Sequence, residues 1–235
     1  MEIQRVLRQE KKYILNTEQR MRMEARLEKM LRPDPHNEGV GYMVRSLYFD
    51  TMTSRDFYDK LAGVELRRKM RMRIYHPEDE YAMLEIKQKQ GQNQLKRSMR
   101  ITRKEAMQME RGDYTPLRAY DNEFAAEYYS ILTMNQYRPA AIVEYHRKAY
   151  ILPENAIRIT FDTGLTASEG RMSIFEAQPG LYPVIQPWKA FLEIKYNHFL
   201  LSYVKELLNM CDDSEMAVSK YCLSRRQSLH RSESI

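Results

Sequence analysis

The sequence predicts an α+β fold in which many strands and several helices form one domain. Three observations support this: strand-like segments whose polar residues recur at every second position, helix-capping patterns between those segments, and a globular composition. Of the 235 residues, 43% are hydrophobic and 30% are charged, which allows a core without disulfide bonds. We therefore predict a single domain over residues 1–227 and a polar tail over 228–235.

The individual elements follow from local composition and spacing. Runs of aromatic, β-branched and alternating residues predict strands at 5–15, 41–50, 64–75, 80–90, 94–101, 139–152, 156–162 and 189–197. Helical spacing predicts helices at 17–31, 102–111, 121–135 and within 199–227, and a short helix or turn at 53–62. Thr102 and Glu105 have the spacing of a capping box. The GQN sequence at 91–93 predicts a hairpin turn.

Charged residues two positions apart share one face of a strand. The polar faces of five predicted strands contain, in chain order, Arg67, Lys69, Arg71, Arg73, Glu85, Lys87, Lys89, Lys96, Ser98, Arg100, Arg158, Thr160, Asp162, Glu193, Lys195 and Asn197. Arg97 breaks the alternation, which favours Lys96 on the shared face. One such strand is typical of a sheet with a solvated face, but solvated faces usually mix both signs of charge.

A concave sheet would gather these cations around one cavity. Their mutual repulsion would destabilise an empty cavity, so a polyanion is the expected occupant. Arg presents a planar fork that matches phosphate oxygens, and Lys presents a compact charge. Glu193 on the same face has two interpretations: an ion pair with Lys195 or a cross-strand Arg, or a ligand of a divalent cation that bridges phosphate oxygens. The spacing leaves both open.

Composition and motifs disfavour other classes of protein. The net charge of +6 agrees with an anionic partner. Cys211 and Cys222 have no CxxC spacing and the five histidines are scattered, so we expect no zinc site and a reducing, cytoplasmic location. We find no membrane-length apolar run, no signal peptide, and no Walker A, GxGxxG, HExxH or GxSxG motif.

A series of short motifs resembles the motifs of a known protein family. In chain order they are RQEKKYIL, YMVRSLYFDT, KMRMRIY, LEIKQK, QLKRSMRI, VEYHRKAY, AIRITFD, FLEIKY and SKYCLS, within residues 4–224. Together they resemble the VTC (vacuolar transporter chaperone) polyphosphate polymerase domain of the CYTH-like, or triphosphate tunnel metalloenzyme, superfamily, in its bacterial stand-alone form. The first motif places Arg8, Glu10 and Lys12 on R-x-E-x-K-Y, whereas the wider superfamily has a Glu where this chain has Arg8. That difference argues against a plain tripolyphosphatase metal site.

The resemblance implies a closed antiparallel β-barrel, the triphosphate tunnel, with helices packed outside and at the C-terminus. It also implies that the γ-phosphoryl group of ATP passes to a growing polyphosphate chain, with Mn²⁺ or Mg²⁺ as cofactor. The expected catalytic residues are Arg71, Arg73, Lys87, Arg147, Arg158 and Glu193. The expected phosphate-binding residues are Lys12, Arg71, Arg73, Lys87, Lys96, Arg147, Arg158, Lys195, Ser219 and Lys220. Glu193 is the expected metal ligand, with Glu10 and Glu85 as further candidates.

Three functions are compatible with such a tunnel: polyphosphate polymerase, triphosphatase, and non-catalytic sensor of polyphosphate or nucleotide. ATP and inorganic polyphosphate or triphosphate are the expected partners. Nucleic-acid binding is disfavoured because the aromatic residues fall mostly at core positions rather than among the basic ones. Eukaryotic members of the family have an inositol-phosphate-sensing N-terminal domain and a transmembrane region, and we expect this sequence to have neither.

Overall fold

A ten-stranded antiparallel sheet dominates the computed structural model, which describes residues 9–37, 39–90, 93–209, 215 and 219–231. The strands are β1 (Gln9–Leu15), β2 (Arg32–Pro33), β3 (Tyr42–Thr51), β4 (Leu66–Ile74), β5 (Tyr81–Gln90), β6 (Asn93–Thr102), β7 (Tyr137–Leu152), β8 (Ile157–Ser168), β9 (Tyr182–Pro183) and β10 (Ala190–Tyr196). The α-helices in this part of the chain are α1 (Thr17–Met30), α2 (Arg55–Leu61), α3 (Arg103–Met109), α4 (Glu123–Met134), α5 (Ser202–Leu208) and α6 (Lys220–Arg231). The predicted α+β class is confirmed.

The sheet curls until its two ends meet through side chains. Its strand order is β1-β10-β8-β7-β3-β4-β5-β6, with β2 beside β7 and β9 beside β8. Although β1 and β5 lie near opposite ends of this order, Lys87 Nζ of β5 is 3.6 Å from Glu10 Oε2 of β1. Within the described residues no backbone ladder joins β1 to β5 or β6. The expected closed barrel is therefore not closed by hydrogen bonds, because side chains rather than backbone groups span the seam.

Most predicted elements have the expected type and differ at their ends. The capping box at the start of α3 is confirmed: Glu105 N–H donates to Thr102 Oγ1 at 3.3 Å, and Thr102 N–H donates to Glu105 Oε2 at 2.8 Å. Helix α6 continues to Arg231 and so overlaps the predicted tail at 228–235. No Gly or Pro follows Ser219 to stop this helix. Residues 232–235, and residues 91 and 92 of the predicted hairpin turn, lie outside the described residues.

The apolar face of the strands is covered by helices. Met70, Met72, Leu84 and Ile86 are at most 1% exposed and pack with α3 and α4, for example with Tyr128. A second apolar cluster lies where β8 and β10 pack with α1 and α5. Full burial of such a side chain contributes about 1.5–3 kcal/mol. Because the helices cover this convex face, the charged face of the same strands lines the inside of the curl.

Helix α6 is the exception to the expectation that helices pack outside. Tyr221 stacks on Tyr48 with ring centroids 5.0 Å apart, and its hydroxyl donates to Asp50 Oδ2 at 2.5 Å. Tyr221 also belongs to the apolar cluster of Val143 and Phe191, whose side chains alternate with the convex-face residues of β7 and β10. The start of α6 therefore packs against the concave side, where the inner face is locally apolar. None of the described helices is long and apolar enough to cross a membrane.

The buried carboxyl group of Asp56, at the start of α2, makes stability depend on pH. Asp56 is 3% exposed, its N–H donates to Asp50 Oδ1 at 2.9 Å, and its own Oδ1 accepts from the Tyr137 hydroxyl at 2.8 Å. Burial, and then the charge of Asp50, raise the pKa of Asp56 to about 7. The folded protein thus holds a proton that the unfolded chain releases above about pH 3.9. This stabilising contribution is fully present below that pH and is lost as the pH rises through about 7.

We expect Asp56→Asn to remove that contribution, since an amide is neutral at every pH and its oxygen still accepts from Tyr137. In the parent protein the contribution should fall by about 3 kcal/mol between about pH 5 and about pH 8. Urea unfolding of both proteins at the two pH values measures the difference. An identical pH dependence in parent and variant would show that Asp56 does not hold this proton.

Candidate active site

A cavity of about 770 Å³ lies inside the curled sheet. It brings together all of the described residues that the sequence and the family resemblance nominated for phosphate or metal. These are Glu10, Lys12, Arg71, Arg73, Glu85, Lys87, Lys96, Arg147, Arg158, Glu193, Lys195, Ser219 and Lys220. Arg8, at the remaining motif position, lies outside the described residues. The placement is a finding, whereas the roles of these residues stay predictions.

The cavity is strongly cationic. In the described part of the chain its wall contains eleven Lys and Arg side chains against four Glu side chains. Three further carboxylates, Asp34, Glu127 and Asp162, pair with cations of this wall, so the excess is four positive charges, eleven less seven. The basic character inferred from composition is therefore concentrated inside the sheet, where it acts on a bound ligand.

Strand register explains why these side chains meet. Directly opposed residues in an antiparallel sheet point to the same face. Across β4, β5 and β6, Arg71 is opposite Glu85, and Glu85 is opposite Ser98. Two residues further along each strand, on the same face, Lys69, Lys87 and Lys96 form a row of three like charges. On the other side of the cavity, Glu193 of β10 is opposite Lys12 of β1.

Glu85 anchors three cations of the cavity wall. It accepts from Arg71 Nε at 2.6 Å, and lies 3.0 Å from Arg73 Nη2 and 2.7 Å from Lys96 Nζ. Burial opposes its ionisation, but the charges of Arg71 and Lys96 outweigh burial and lower the pKa of Glu85 below its ordinary value. Both carboxylate oxygens are thereby engaged. Glu85 thus positions the two arginines, and its candidate role as a metal ligand stays a prediction.

Glu10 and Glu193 form a second centre on adjacent strands. Lys12 Nζ is 3.5 Å from Glu10 Oε2 and 3.4 Å from Glu193 Oε1, and Lys195 Nζ is 2.8 Å from Glu193 Oε2. Burial opposes the charge of Glu193, but Lys195, Lys220 and Lys12 hold the pKa of Glu193 well below its ordinary value. For Glu10, burial is likewise outweighed, first by Lys87, and the pKa is lowered. Both groups are therefore carboxylates at neutral pH.

The donor set of this pair fits a divalent cation. Glu10 Oε1 is buried and has no hydrogen-bond partner there, although Lys195 Nζ lies 3.6 Å away. No cluster of three or more His, Cys, Asp or Glu residues with metal-site geometry occurs in the described ranges. Mg²⁺ and related hard cations commonly use only one or two carboxylates together with substrate phosphates and water. Glu10 and Glu193 match that donor set.

Asp162 is a candidate site residue that the motif reasoning did not nominate. It is fully buried behind the cavity wall and forms a bidentate pair with Arg147, at 2.6 Å to Nε and 2.7 Å to Nη2. Lys220 Nζ is 2.7 Å from the same carboxylate. Burial opposes its charge, but Arg147 and then Lys220 lower the pKa of Asp162. The alternation of β8 had put Asp162 on the charged face, but only the structure shows that it aims two predicted phosphate ligands.

Lys69 is a second addition to the predicted site. It lies in the cavity wall beside Ser219, to which its Nζ donates at 2.7 Å. Burial lowers the pKa of Lys69 to about 8. Cys222 partly offsets this effect, and the charges of Lys12 and Lys60 add to it. Burial similarly lowers the pKa of Lys87, to about 7. An anionic ligand would favour the charged form of both lysines.

Two further arginines of the sheet, Arg158 and Arg97, are each held by a carboxylate. Arg158 lines the cavity but is held by Asp34, 2.8 Å from Nη2, and by the Tyr42 hydroxyl at the same distance. Arg97, which broke the alternation of β6, instead forms an ion pair with Glu127 of α4. Lys96 rather than Arg97 therefore reaches Glu85, as strand parity predicted.

A comparison with family models identifies the chain. The model of the VTC domain matches residues 7–229, which is nearly the whole chain. The chain belongs to the VTC domain family. None of the curated protein sequences matches it.

Solved structures similar to this VTC domain agree with the fold. A candidate adenylate cyclase from Bacillus halodurans has a TM-score of 0.56 at 12% identity, over 93% of this chain and 96% of that one. A candidate adenylyl cyclase from Hippeastrum, described as having a dominant triphosphatase activity, has a TM-score of 0.54 at 13% identity, with the same coverage of both chains. At such low identity these similarities establish the fold alone.

Proposed function

We propose that this VTC domain is an ATP-dependent polyphosphate polymerase that transfers the γ-phosphoryl group of ATP to a polyphosphate chain. The observation that carries the proposal is the cationic cavity wall, with eleven Lys and Arg side chains against four Glu side chains among the described residues. After Asp34, Glu127 and Asp162 are counted against the cations that they pair with, four positive charges, eleven less seven, stay in excess and favour a polyphosphate ligand. Membership of the VTC domain family supports the same reaction.

In the proposed reaction, the protein positions phosphates and stabilises their charge. Arg71 and Arg73, aimed by Glu85, would hold phosphate oxygens on one side of the cavity. Arg147 and Lys220, aimed by Asp162, would hold them on the other. During elongation the terminal phosphate of the chain attacks the γ-phosphorus and ADP leaves. No covalent intermediate is required for that step.

Glu10 and Glu193 are the residues that we assign to a divalent cation, Mn²⁺ or Mg²⁺. When bound, such an ion would neutralise charge on the transferred phosphoryl group. Lys12 and Lys195 contact both carboxylates and would keep the pair oriented. We also propose a cytoplasmic location, to which the free thiol of Cys222 is suited.

Hydrolysis of triphosphate in the same cavity is the alternative function. It is favoured by the described activity of the structurally similar Hippeastrum protein. Incubation of the purified protein with labelled ATP and Mn²⁺ distinguishes the candidates. Long labelled chains on a gel would support the polymerase, whereas release of free phosphate without chains would support the hydrolase. Tight binding of ATP without either product would identify a sensor.

Replacement of Arg71 with Ala tests the cationic wall. The substitution removes charge-assisted hydrogen bonds to phosphate, and we expect the affinity for non-hydrolysable ATP to fall by about 10–100-fold. Isothermal titration calorimetry measures the affinity. Arg22→Ala is the matched control, because it removes the same charge from an exposed ion pair with Glu18 on α1. Equal affinities of the two variants would exclude Arg71 from the binding site.

A further inference from the structure

Two tyrosines extend the inner face of the sheet beyond one end of the cavity. Tyr75 directly follows β4, two residues after Arg73, and its hydroxyl accepts from Arg73 Nη1 at 3.3 Å. Tyr42 of β3 is opposite Arg147 of β7, and its hydroxyl accepts from Arg158 Nη2 at 2.8 Å. The two rings meet edge to face, with centroids 5.9 Å apart. Both tyrosines therefore contact arginines that line the cavity.

A third tyrosine lies on the same face and at the same end. Tyr81 begins β5, two residues before Met83, which is opposite Arg73 of β4 and Arg100 of β6. The guanidinium of Arg100 lies 4.4 Å from the centroid of the Tyr81 ring. Tyr75 is 44% exposed and Tyr81 is 49% exposed, so neither ring is buried in the core. We refer to this group as the tyrosine mouth: Tyr42, Tyr75 and Tyr81.

The aromatic residues that line the cavity itself do not offer a free ring face. These residues, Tyr48, Phe124, Tyr145 and Phe191, are at most 7% exposed. Each of them also has the charge of a Lys or Arg 4.9–5.8 Å from its ring centroid. The tyrosine mouth, by contrast, combines exposed aromatic surface with direct contacts to cavity arginines. A planar, partly apolar group attached to a phosphate chain therefore fits this end of the cavity.

Arg73 connects the tyrosine mouth to the phosphate-binding wall. Its side chain is 10% exposed, and Arg73 Nε is buried without a hydrogen-bond partner among the described residues. A buried donor without a partner is costly, and a phosphate oxygen would satisfy it. Successive inner-face residues of a strand are about 6.6 Å apart. Tyr75, Arg73 and Arg71 therefore follow one another into the cavity in the order in which a nucleotide presents its base and its phosphates.

We propose that Tyr75 stacks on the base of the ATP donor, with Tyr42 and Tyr81 beside it, and that the triphosphate enters the cavity past Arg73. Aromatic side chains bind bases in this way, and the interaction tolerates any base because every base has a π-face. The inference rests on the proposed function, from which it takes ATP as the ligand. It adds recognition of the nucleoside, which the phosphate-binding residues do not supply, and the end of the cavity at which the donor binds.

Comparison of two ligands in Tyr75→Ala tests the inference. Isothermal titration calorimetry without added metal gives the affinities for non-hydrolysable ATP and for inorganic tripolyphosphate, which has no base. Since loss of base stacking costs about 1–3 kcal/mol, we expect the affinity for the ATP analogue to fall by at least about fivefold. The affinity for tripolyphosphate should stay within about twofold of the parent, because Arg73 and the other phosphate-binding residues are retained.

Two further variants separate stacking from positioning and from general effects. Tyr75→Phe keeps the ring and loses the hydroxyl that accepts from Arg73, and it should bind the ATP analogue within about twofold of the parent. Tyr203→Ala is the matched control, because it removes a tyrosine that is 37% exposed on α5, away from the cavity. It should leave both affinities unchanged. The melting temperature of each variant verifies its folding.

Three results would overturn the inference. The first is an affinity for the ATP analogue that Tyr75→Ala leaves unchanged. The second is an equal loss of affinity for both ligands in Tyr75→Ala, since Tyr75 would then act only by positioning Arg73. The third is a loss of ATP affinity in Tyr75→Phe as large as in Tyr75→Ala, which would assign the effect to the hydroxyl rather than to the ring.

Chain synthesis from ATP and Mn²⁺ is measured with the parent protein, so that failure of the inference and failure of the proposed function can be told apart. A parent that makes no chains, but whose affinity for the ATP analogue depends selectively on Tyr75, would overturn the polymerase and support the inference. A parent that makes chains, but whose nucleotide affinity does not depend on Tyr75, would overturn the inference and leave the polymerase standing. A parent that binds no nucleotide would overturn both.

Discussion

Glu193→Gln is expected to lower polyphosphate synthesis by about 100-fold or more while leaving nucleotide binding intact. The Glu193 carboxylate lies within 3.5 Å of Lys12 and Lys220. Lys195 is closer, at 2.8 Å. The amide keeps the shape of the side chain but removes the negative charge assigned to the divalent cation. It also leaves the three lysines less neutralised, so phosphate binding should be maintained or strengthened.

The measurement pairs steady-state chain synthesis with calorimetric binding of non-hydrolysable ATP. Glu123→Gln is the control, because Glu123 lines the same cavity from an exposed position at the start of α4. It makes the same chemical change, and we expect synthesis to stay within about twofold of the parent, as for other exposed substitutions. Full activity in Glu193→Gln would remove Glu193 from the metal site and from catalysis.

Asp162→Asn is expected to destabilise the folded protein by about 3–5 kcal/mol. Asp162 is 0% exposed and neutralises two cations that are themselves nearly buried, Arg147 and Lys220. The amide would leave both cations without their partner in a site from which water is largely excluded. Because the pair is also what aims these cations into the cavity, affinity for triphosphate should fall as well.

Guanidinium denaturation followed by circular dichroism gives the free energy of unfolding. Asp59→Asn is the comparison: Asp59 pairs with Arg55 on the surface of α2 at 3.7 Å, and its loss should change stability by less than about 1 kcal/mol. A stability for Asp162→Asn equal to that of Asp59→Asn would mean that water or another group neutralises Arg147 and Lys220. Added triphosphate should then have no larger stabilising effect on Asp162→Asn than on the parent.

The strand pattern was enough to assign side chains to faces. Parity put Lys96 rather than Arg97 on the charged face, and the structure has Lys96 against Glu85 and Arg97 against Glu127 of α4. The same reasoning could not pair residues across the sheet. Arg158 with Asp34, and Lys220 with Asp162, are 124 and 58 positions apart, and their pairing depends on strand order and curl. Lys69 was on the predicted face and begins the motif KMRMRIY, but strand spacing does not predict its contact with Ser219, 150 positions away.

The sequence alone determined which strands have a charged face. Alternation is a local property, because successive side chains leave the backbone on opposite sides whatever the rest of the chain does. The sequence likewise determined membership of the VTC domain family, since the motifs follow one another in order. Only the tertiary structure decided that the two ends of the sheet meet through Lys87 and Glu10, and that α6 packs against the concave side. It also decided which carboxylate pairs with which cation. Those outcomes depend on long-range packing and on the balance of burial against charge, neither of which is encoded in the spacing of a single strand.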